Sequence, residues 1–166
     1  MRDKTSANPV ASLQPMPRVI ISCRDSKGAN NALAVGFCSN ISLNPPKVMV
    51  GIIPANYSYH MIKETGCFVV NLCTTEQREM FYYLGSHHGS DEDKLAAIGA
   101  KVSDGVKVNA PLLDDCPVNI ECTVEDVYPA GDHDMFVARV EYVHAASDIV
   151  NVDATINFGA LNLLLD

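Results

Sequence analysis

The stretch RVIISC, residues 18–23, runs into a polar link, RDSKGANN, with a glycine at position 28, and then into a second apolar run, ALAVGFC. Two β-rich runs joined by a polar, glycine-containing loop predict a hairpin. KVMVGII supplies a third strand and CFVVNLC, residues 67–73, a fourth, each short and apolar enough to be central. Further on, VNIECTVEDVY and MFVARVEYVH alternate as two long antiparallel strands would, with PAGDHD as their connecting loop. Hairpin-like links outnumber helical crossovers. The chain therefore predicts about six strands in an antiparallel barrel with appended helices, not a parallel α/β sheet.

The helices are few. NYSYHMIKETG predicts a short one stopped by Gly66, and residues 75–84 are helical but irregular. In GSHHGSDEDKLAAIGAK, Ser90 followed by Asp93 resembles a capping box, and Asp91 and Glu92 suit the positive end of a helix dipole, which predicts a helix over 91–98. Pro111 and Pro117 interrupt the region before the long strands, and the apolar tail INFGALNLLLD has no assigned element.

At 166 residues the chain predicts one core, with residues 1–16 a loosely ordered lead-in and 17–166 a single domain. The hydrophobic share of 48% and charged share of 19% exclude a disordered chain. A net charge of −8 argues against nucleic acid, whose binding needs clustered Lys and Arg. The six cysteines show no C-x-x-C pair and no zinc-ligand spacing, and read as small buried hydrophobes in a reducing cytoplasm. With no signal-like leader and no run of 18 apolar residues, the expectation is a soluble cytoplasmic protein with no membrane partner. Neither G-x-G-x-x-G nor G-x-x-x-x-G-K-[ST] occurs, and G-x-S-x-G is absent too. His87 and His88 lack partners at ligand spacing, so no metal is expected.

Between the apolar runs at 33–38 and 48–53 lies SNISLNPP, rich in hydroxyls and amides. If extended, it puts Asn40, Ser42 and Asn44 on a wet face and Ile41 and Leu43 on a dry one. It is either a polar strand end stopped by Pro45 and Pro46, or a shelf on which a flat or anionic ligand receives hydrogen bonds. Lys94, following three carboxylates in a helix's first turn, sits at the wrong end of the dipole. It is either a solvated ion pair or the local cation that an anionic ligand needs in an acidic protein. His133, flanked by Asp132 and Asp134 in a hairpin loop, is a turn residue or a ligand contact.

Taken in order, PRVIISC, GANNALAVGFCSNISLNPP, YSYHMIKETGCFVVNL, SDEDKL and GDHDMFVARV resemble the flavin reductase-like family of FMN-binding split barrels, which includes the flavoredoxins, over residues 17–144. The resemblance implies a mainly β fold, a six-stranded antiparallel Greek-key split barrel, forming a homodimer with noncovalent FMN near the subunit interface. It implies that Ser39, Asn40, Ile41 and Ser42 face the flavin, with Asn31 close by and Phe37 near the ring. Tyr57, Ser58 and His60 match the segment that helps hold the phosphate, and Lys94 matches a phosphate or ring contact. His133 matches a residue beside the flavin where nicotinamide approaches, its one candidate catalytic position. The chain departs from the family pattern at Leu95, where phenylalanine is usual, at Phe37, where relatives often carry tryptophan, and in a tail without aromatic richness.

In such a protein the cofactor supplies the chemistry and the chain positions it, so no acid–base constellation need stand out. The implied activity is transfer of electrons from NADH or NADPH through FMN to free flavin, iron or a redox protein partner. The alternatives are a flavoredoxin-type carrier reduced by another protein and a flavin-binding module without turnover. A redox thiol at Cys38 is a further reading, to be judged on its surroundings.

Overall fold

The computed structural model describes residues 2–10 and 12–166; positions 1 and 11 of the expected lead-in lie outside them. Residues 2–10 and 12–15 are exposed and form no helix or strand. The chain enters its first strand, β1 (Val19–Arg24), through Pro17 and Arg18. The link that follows is a side-chain-stabilised turn: the Asp25 carboxylate accepts from the backbone N–H of Lys27 at 2.9 Å and of Ala29 at 2.8 Å, and Gly28 takes φ +90°. Asx turns and left-handed glycine are the local chemistry that returns a strand on itself. So β2 (Asn30–Val35) pairs antiparallel with β1, Val19 opposite Val35 and Arg24 opposite Asn30.

Three more strands lie in the chain before its halfway point: β3 (Cys38–Leu43), β4 (Pro46–Ile52) and β5 (Cys67–Leu72). Two short ones, β6 (Val102–Asp104) and β7 (Pro111–Leu113), form a separate ribbon. The long pair, β8 (Val118–Ala130) and β9 (His133–Ala145), carries the alternation seen in the sequence. The main sheet has seven strands in the order β2-β1-β5-β8-β9-β4-β3. All its pairings are antiparallel. One apolar cluster draws on every one of these strands and includes Ile21, Val50, Phe68 and Phe136, all buried, so the sheet curls around its core. Its outer strands, β2 and β3, do not pair, which leaves a seam.

Among the described residues three α-helices attach to this frame. The first, α1 (Tyr57–Thr65), packs Tyr59, Met61 and Ile62 against the main core and stops at Gly66, whose φ of +72° suits a residue without a side chain. Then α2 (Arg78–Ser86) and α3 (Lys94–Ala97) cover the outer face of β1 and β2, where Phe81, Leu84 and Leu95 meet Ile20 and Ala32.

Several expectations need correction. Among the described residues nine strands form, not six: ALAVGFC breaks at Gly36 and Phe37 and SNISLNPP becomes strand β3 with its turn, which makes the main sheet seven-stranded, and β6 and β7 add the separate ribbon. That strand has a bulge between Asn40 and Ser42, so strict alternation fails; Ile41 is 44% exposed and Leu43 90% exposed, and the supposed dry face is bare. The helix expected over 91–98 is limited to α3. Its cap is Asp93, which accepts from the Ala96 N–H at 3.0 Å, while the Ser90 hydroxyl turns to Asp91 instead. His133 begins β9 and is not in a loop. The tail runs back to the barrel: the Leu164 N–H donates to the Cys73 carbonyl, and the Arg18 N–H to that of Leu164.

Two buried polar side chains join the β6–β7 ribbon to the barrel. Asn71 donates to the Ile20 carbonyl and Ser22 hydroxyl and accepts from the Leu113 N–H and the Asn119 amide, with all four contacts between 2.8 and 3.0 Å. Glu121, fully buried, accepts from three successive backbone N–H groups, of Val106, Lys107 and Val108, and pairs with His144 Nε2 at 2.6 Å.

Candidate functional site

A cavity of about 200 Å³ opens between the start of α1, the end of α2 and the outer end of β2. The sequence builds three of its walls from distant positions. Asn31, on β2, is 4% exposed and its amide donates to the Ser58 hydroxyl at 2.8 Å. Ser58 is the second residue of α1, whose first turn contains no acidic side chain and whose N-cap, Asn56, makes no side-chain hydrogen bond. The first N–H groups of a helix lack partners in the preceding turn; that of Tyr59 bonds the Asn56 carbonyl at 3.0 Å, and Tyr57 and Ser58 line the cavity at the positive end of the dipole. Lys94, the first residue of α3, completes the set.

Lys94 is 4% exposed, and its ammonium donates to one acceptor, the Leu84 carbonyl at 2.9 Å. An ammonium carries three donors. Burial lowers its pKa, and among the described residues it forms no ion pair. A buried cation without a counter-charge is costly, and an anion in the cavity would offset that cost. The uncapped helix start and the buried ammonium face one cavity, an arrangement whose charge and free donors suit an anion.

The fourth wall is the link between α2 and α3. Gly89 lies so close to Asn31 that a Cβ added there would sit 2.6 Å from the amide nitrogen, so any side chain at 89 would push Asn31 off Ser58. Gly85, His87 and His88 line the same cavity, and His87 stacks on Tyr83 with ring centres 3.8 Å apart. The sequence drew attention to His87 and His88 only as metal candidates; their role as a wall depends on how α2 packs, which no local motif encodes.

The structure thus brings Asn31, Tyr57, Ser58 and Lys94 together in one cleft. His60 faces a neighbouring surface depression with Lys27 and Glu64, which Tyr57 also lines. Phe37 and His133 form a pair of their own, with ring centres 4.8 Å apart; His133 Nδ1 lies 2.7 Å from the Asp132 carboxylate, and this contact holds Asp132 below its usual pKa. Ser39 and Asn40 border a different cavity, of about 450 Å³, at the open end of the barrel among Val19, Val48, Leu72 and Ile120. Ile41 is exposed and Ser42 half-buried on the edge strand. The shelf and the lining of the Lys94 cavity are therefore separate groups of residues.

Cys38 lies in the wall of the apolar cavity, and burial pushes its thiol up to about 12. That removes the thiolate on which a redox role depends. Among the described residues no cluster of three or more His, Cys, Asp or Glu is placed to hold a metal, and no helix is long and apolar enough to cross a membrane.

Comparison with known proteins agrees with this architecture. The profile of the flavin reductase like domain matches residues 11–160. A relative described as an NADH-dependent FMN reductase, from Streptomyces nodosus subsp. asukaensis, is 35% identical over 119 residues, 69% of this chain and 61% of that protein. Three curated relatives are matched over 52 to 64% of their own length. Among solved structures, the flavoredoxin of Methanosarcina acetivorans superposes with a TM-score of 0.87 at 24% identity, covering 98% of this chain and 86% of its own. An FMN-binding protein from Thermus thermophilus gives 0.80 at 23%, covering 94% and 86%. Both likenesses are of fold, a split barrel.

Proposed function

Since the chain belongs to the flavin reductase-like family, we propose that it is an FMN-dependent oxidoreductase that takes electrons from NADH or NADPH and delivers them to free flavin, iron or a protein acceptor. The observation that carries this reading is Lys94: a buried ammonium with one neutral acceptor, beside an uncapped helix start, suits a phosphate ester. The residues present fit the cofactor. Lys94, Ser58 and the first N–H groups of α1 would hold the phosphate, and Asn31 would set the direction of the Ser58 hydroxyl. FMN, when bound, would supply a two-electron acceptor for hydride. The chain's own contribution is to orient and enclose it. His133, held by Asp132 and packed against Phe37, would contact the incoming donor. The Streptomyces relative, an NADH-dependent FMN reductase, supports a nicotinamide donor.

The test is anaerobic. The purified protein, loaded with FMN, is expected to bleach at 450 nm on addition of NADH or NADPH and to recover its colour when free flavin or ferric iron is added. Bound FMN that neither nicotinamide bleaches sinks the reductase reading and leaves a carrier reduced by a partner protein; no bound FMN sinks the cofactor assignment itself.

The edge strand supports a second copy as partner. Exposed apolar side chains on an unpaired edge invite association, and Leu43 and Ile41 are of that kind. We infer a homodimer through this edge. Light scattering should give twice the chain mass, and Leu43→Glu should weaken association about tenfold or more; a monomeric wild type would dispose of the idea.

A further inference from the structure

The Lys94 cavity adjoins a second one, of about 300 Å³, with which it shares three lining residues, Asn31, Tyr57 and Gly89. The two cavities differ in charge. The first is lined by Lys94 and by no Arg, Asp or Glu. The second is lined by Asp91, Glu92 and Asp93 and by no Lys or Arg. None of these carboxylates forms an ion pair among the described residues. Two are held in place: Glu92 accepts from the Tyr83 hydroxyl at 3.1 and 3.2 Å, and Asp93 caps α3.

We propose that this acidic collar makes the cleft selective for a flavin with a single phosphate and turns away the dinucleotide, FAD. The inference rests on the reading above, in which Lys94 receives the flavin phosphate. A phosphate monoester carries close to two negative charges above about pH 7, its second pKa being about 6. In FMN both charges sit on the one group that Lys94 and the α1 start can reach. In FAD the same total is divided over two phosphorus atoms, and the outer one with its adenosine must leave the Lys94 cavity. A group that leaves on the side of the shared residues comes up against Asp91, Glu92 and Asp93. The alternative way out past Tyr57 meets the depression lined by Asp25, Glu64 and Lys27, where the acidic groups again outnumber the cation. Like charges brought together raise the free energy of the wrong ligand, which is how specificity is built by repulsion.

The experiment compares FMN with FAD by quenching of flavin fluorescence on titration with the protein freed of flavin. FMN is expected to bind at least about tenfold more tightly, and the ratio should shrink toward one in about 1 M salt, where charges a few ångströms apart are screened. A triple variant, Asp91→Asn, Glu92→Gln and Asp93→Asn, keeps the cap at 93 and an acceptor for Tyr83. It should raise FAD affinity by about tenfold, and FMN affinity by less. Equal affinity of the wild type for both flavins overturns the proposal. So does a ratio that neither salt nor the triple variant moves, since shape would then be the filter. If neither flavin binds, the FMN reading beneath the proposal fails first, an outcome distinct from tight binding of both.

Discussion

Replacing Glu121 by alanine should lower the melting temperature by on the order of 10 °C. The carboxylate is fully buried and accepts from four donors: three consecutive backbone N–H groups at 2.6 to 2.8 Å and His144 Nε2 at 2.6 Å. Removing it leaves those groups without a partner on the inner side of the turn between β6 and β7. Losing one side of such a buried charge-assisted network costs about 3–5 kcal/mol, a large share of the 5–15 kcal/mol typical of a domain. For a chain of this size each kcal/mol moves the midpoint by about 2–4 °C. The turn has no room to adjust: at Gly105 a Cβ would lie 2.4 Å from the Val108 carbonyl oxygen and 2.9 Å from the carboxylate.

The pH dependence gives an independent check. Burial alone would raise the Glu121 pKa, but the bonds from His144 and the three N–H groups outweigh it and hold the value below the ordinary one for glutamate. A group depressed in the folded state contributes stability above its unfolded pKa of about 4.3 and loses it as pH falls through the folded value. The difference in melting temperature between wild type and Glu121→Gln should therefore be full at pH 7 and should narrow through the acid range. A gap that stays constant to pH 3 would mean that the charge does not matter there.

What the sequence could and could not disclose follows from the range of the forces involved. The β1–β2 turn was legible because Asp25 and Gly28 act within five residues, and α1 because its stop is a single left-handed glycine. The β6–β7 ribbon was not: its three-residue strands are held by Asn71 and Glu121, which act from 13 to 42 positions away. SNISLNPP misled through its regular alternation, which the bulge at Ile41 breaks. The site shows the same division. Lys94 stood out by residue type and position and Ser58 through the family resemblance, whereas Gly89, His87 and His88 became walls only once α2 was packed on β2. The apolar cavity bordered by Ser39 and Asn40 depends on six strands meeting and left no local mark.

Lys94→Met should separate stability from binding, with the two moving in opposite directions. Methionine keeps most of the stem that packs beside Leu84 and removes the buried charge. Burying an uncompensated ammonium is unfavourable, so an apolar replacement of similar volume is expected to leave the melting temperature unchanged or to raise it, even with the Leu84 carbonyl losing a donor. FMN binding should suffer by contrast. Deleting one member of a buried, hydrogen-bonded charge pair costs about 2–5 kcal/mol, and at 1.4 kcal/mol per factor of ten that is a loss of roughly 30- to 3,000-fold in affinity. Riboflavin, which lacks the phosphate, provides the control: its affinity should be similar for wild type and variant, because the ring and ribityl chain do not depend on the charge. Isothermal titration with both flavins, alongside thermal melts of the flavin-free proteins, reads all of these quantities. Equal losses for FMN and riboflavin would place Lys94 in the scaffold of the cleft and not at the phosphate. A marked fall in melting temperature with flavin affinity intact would show that its bond to Leu84 is what the fold requires.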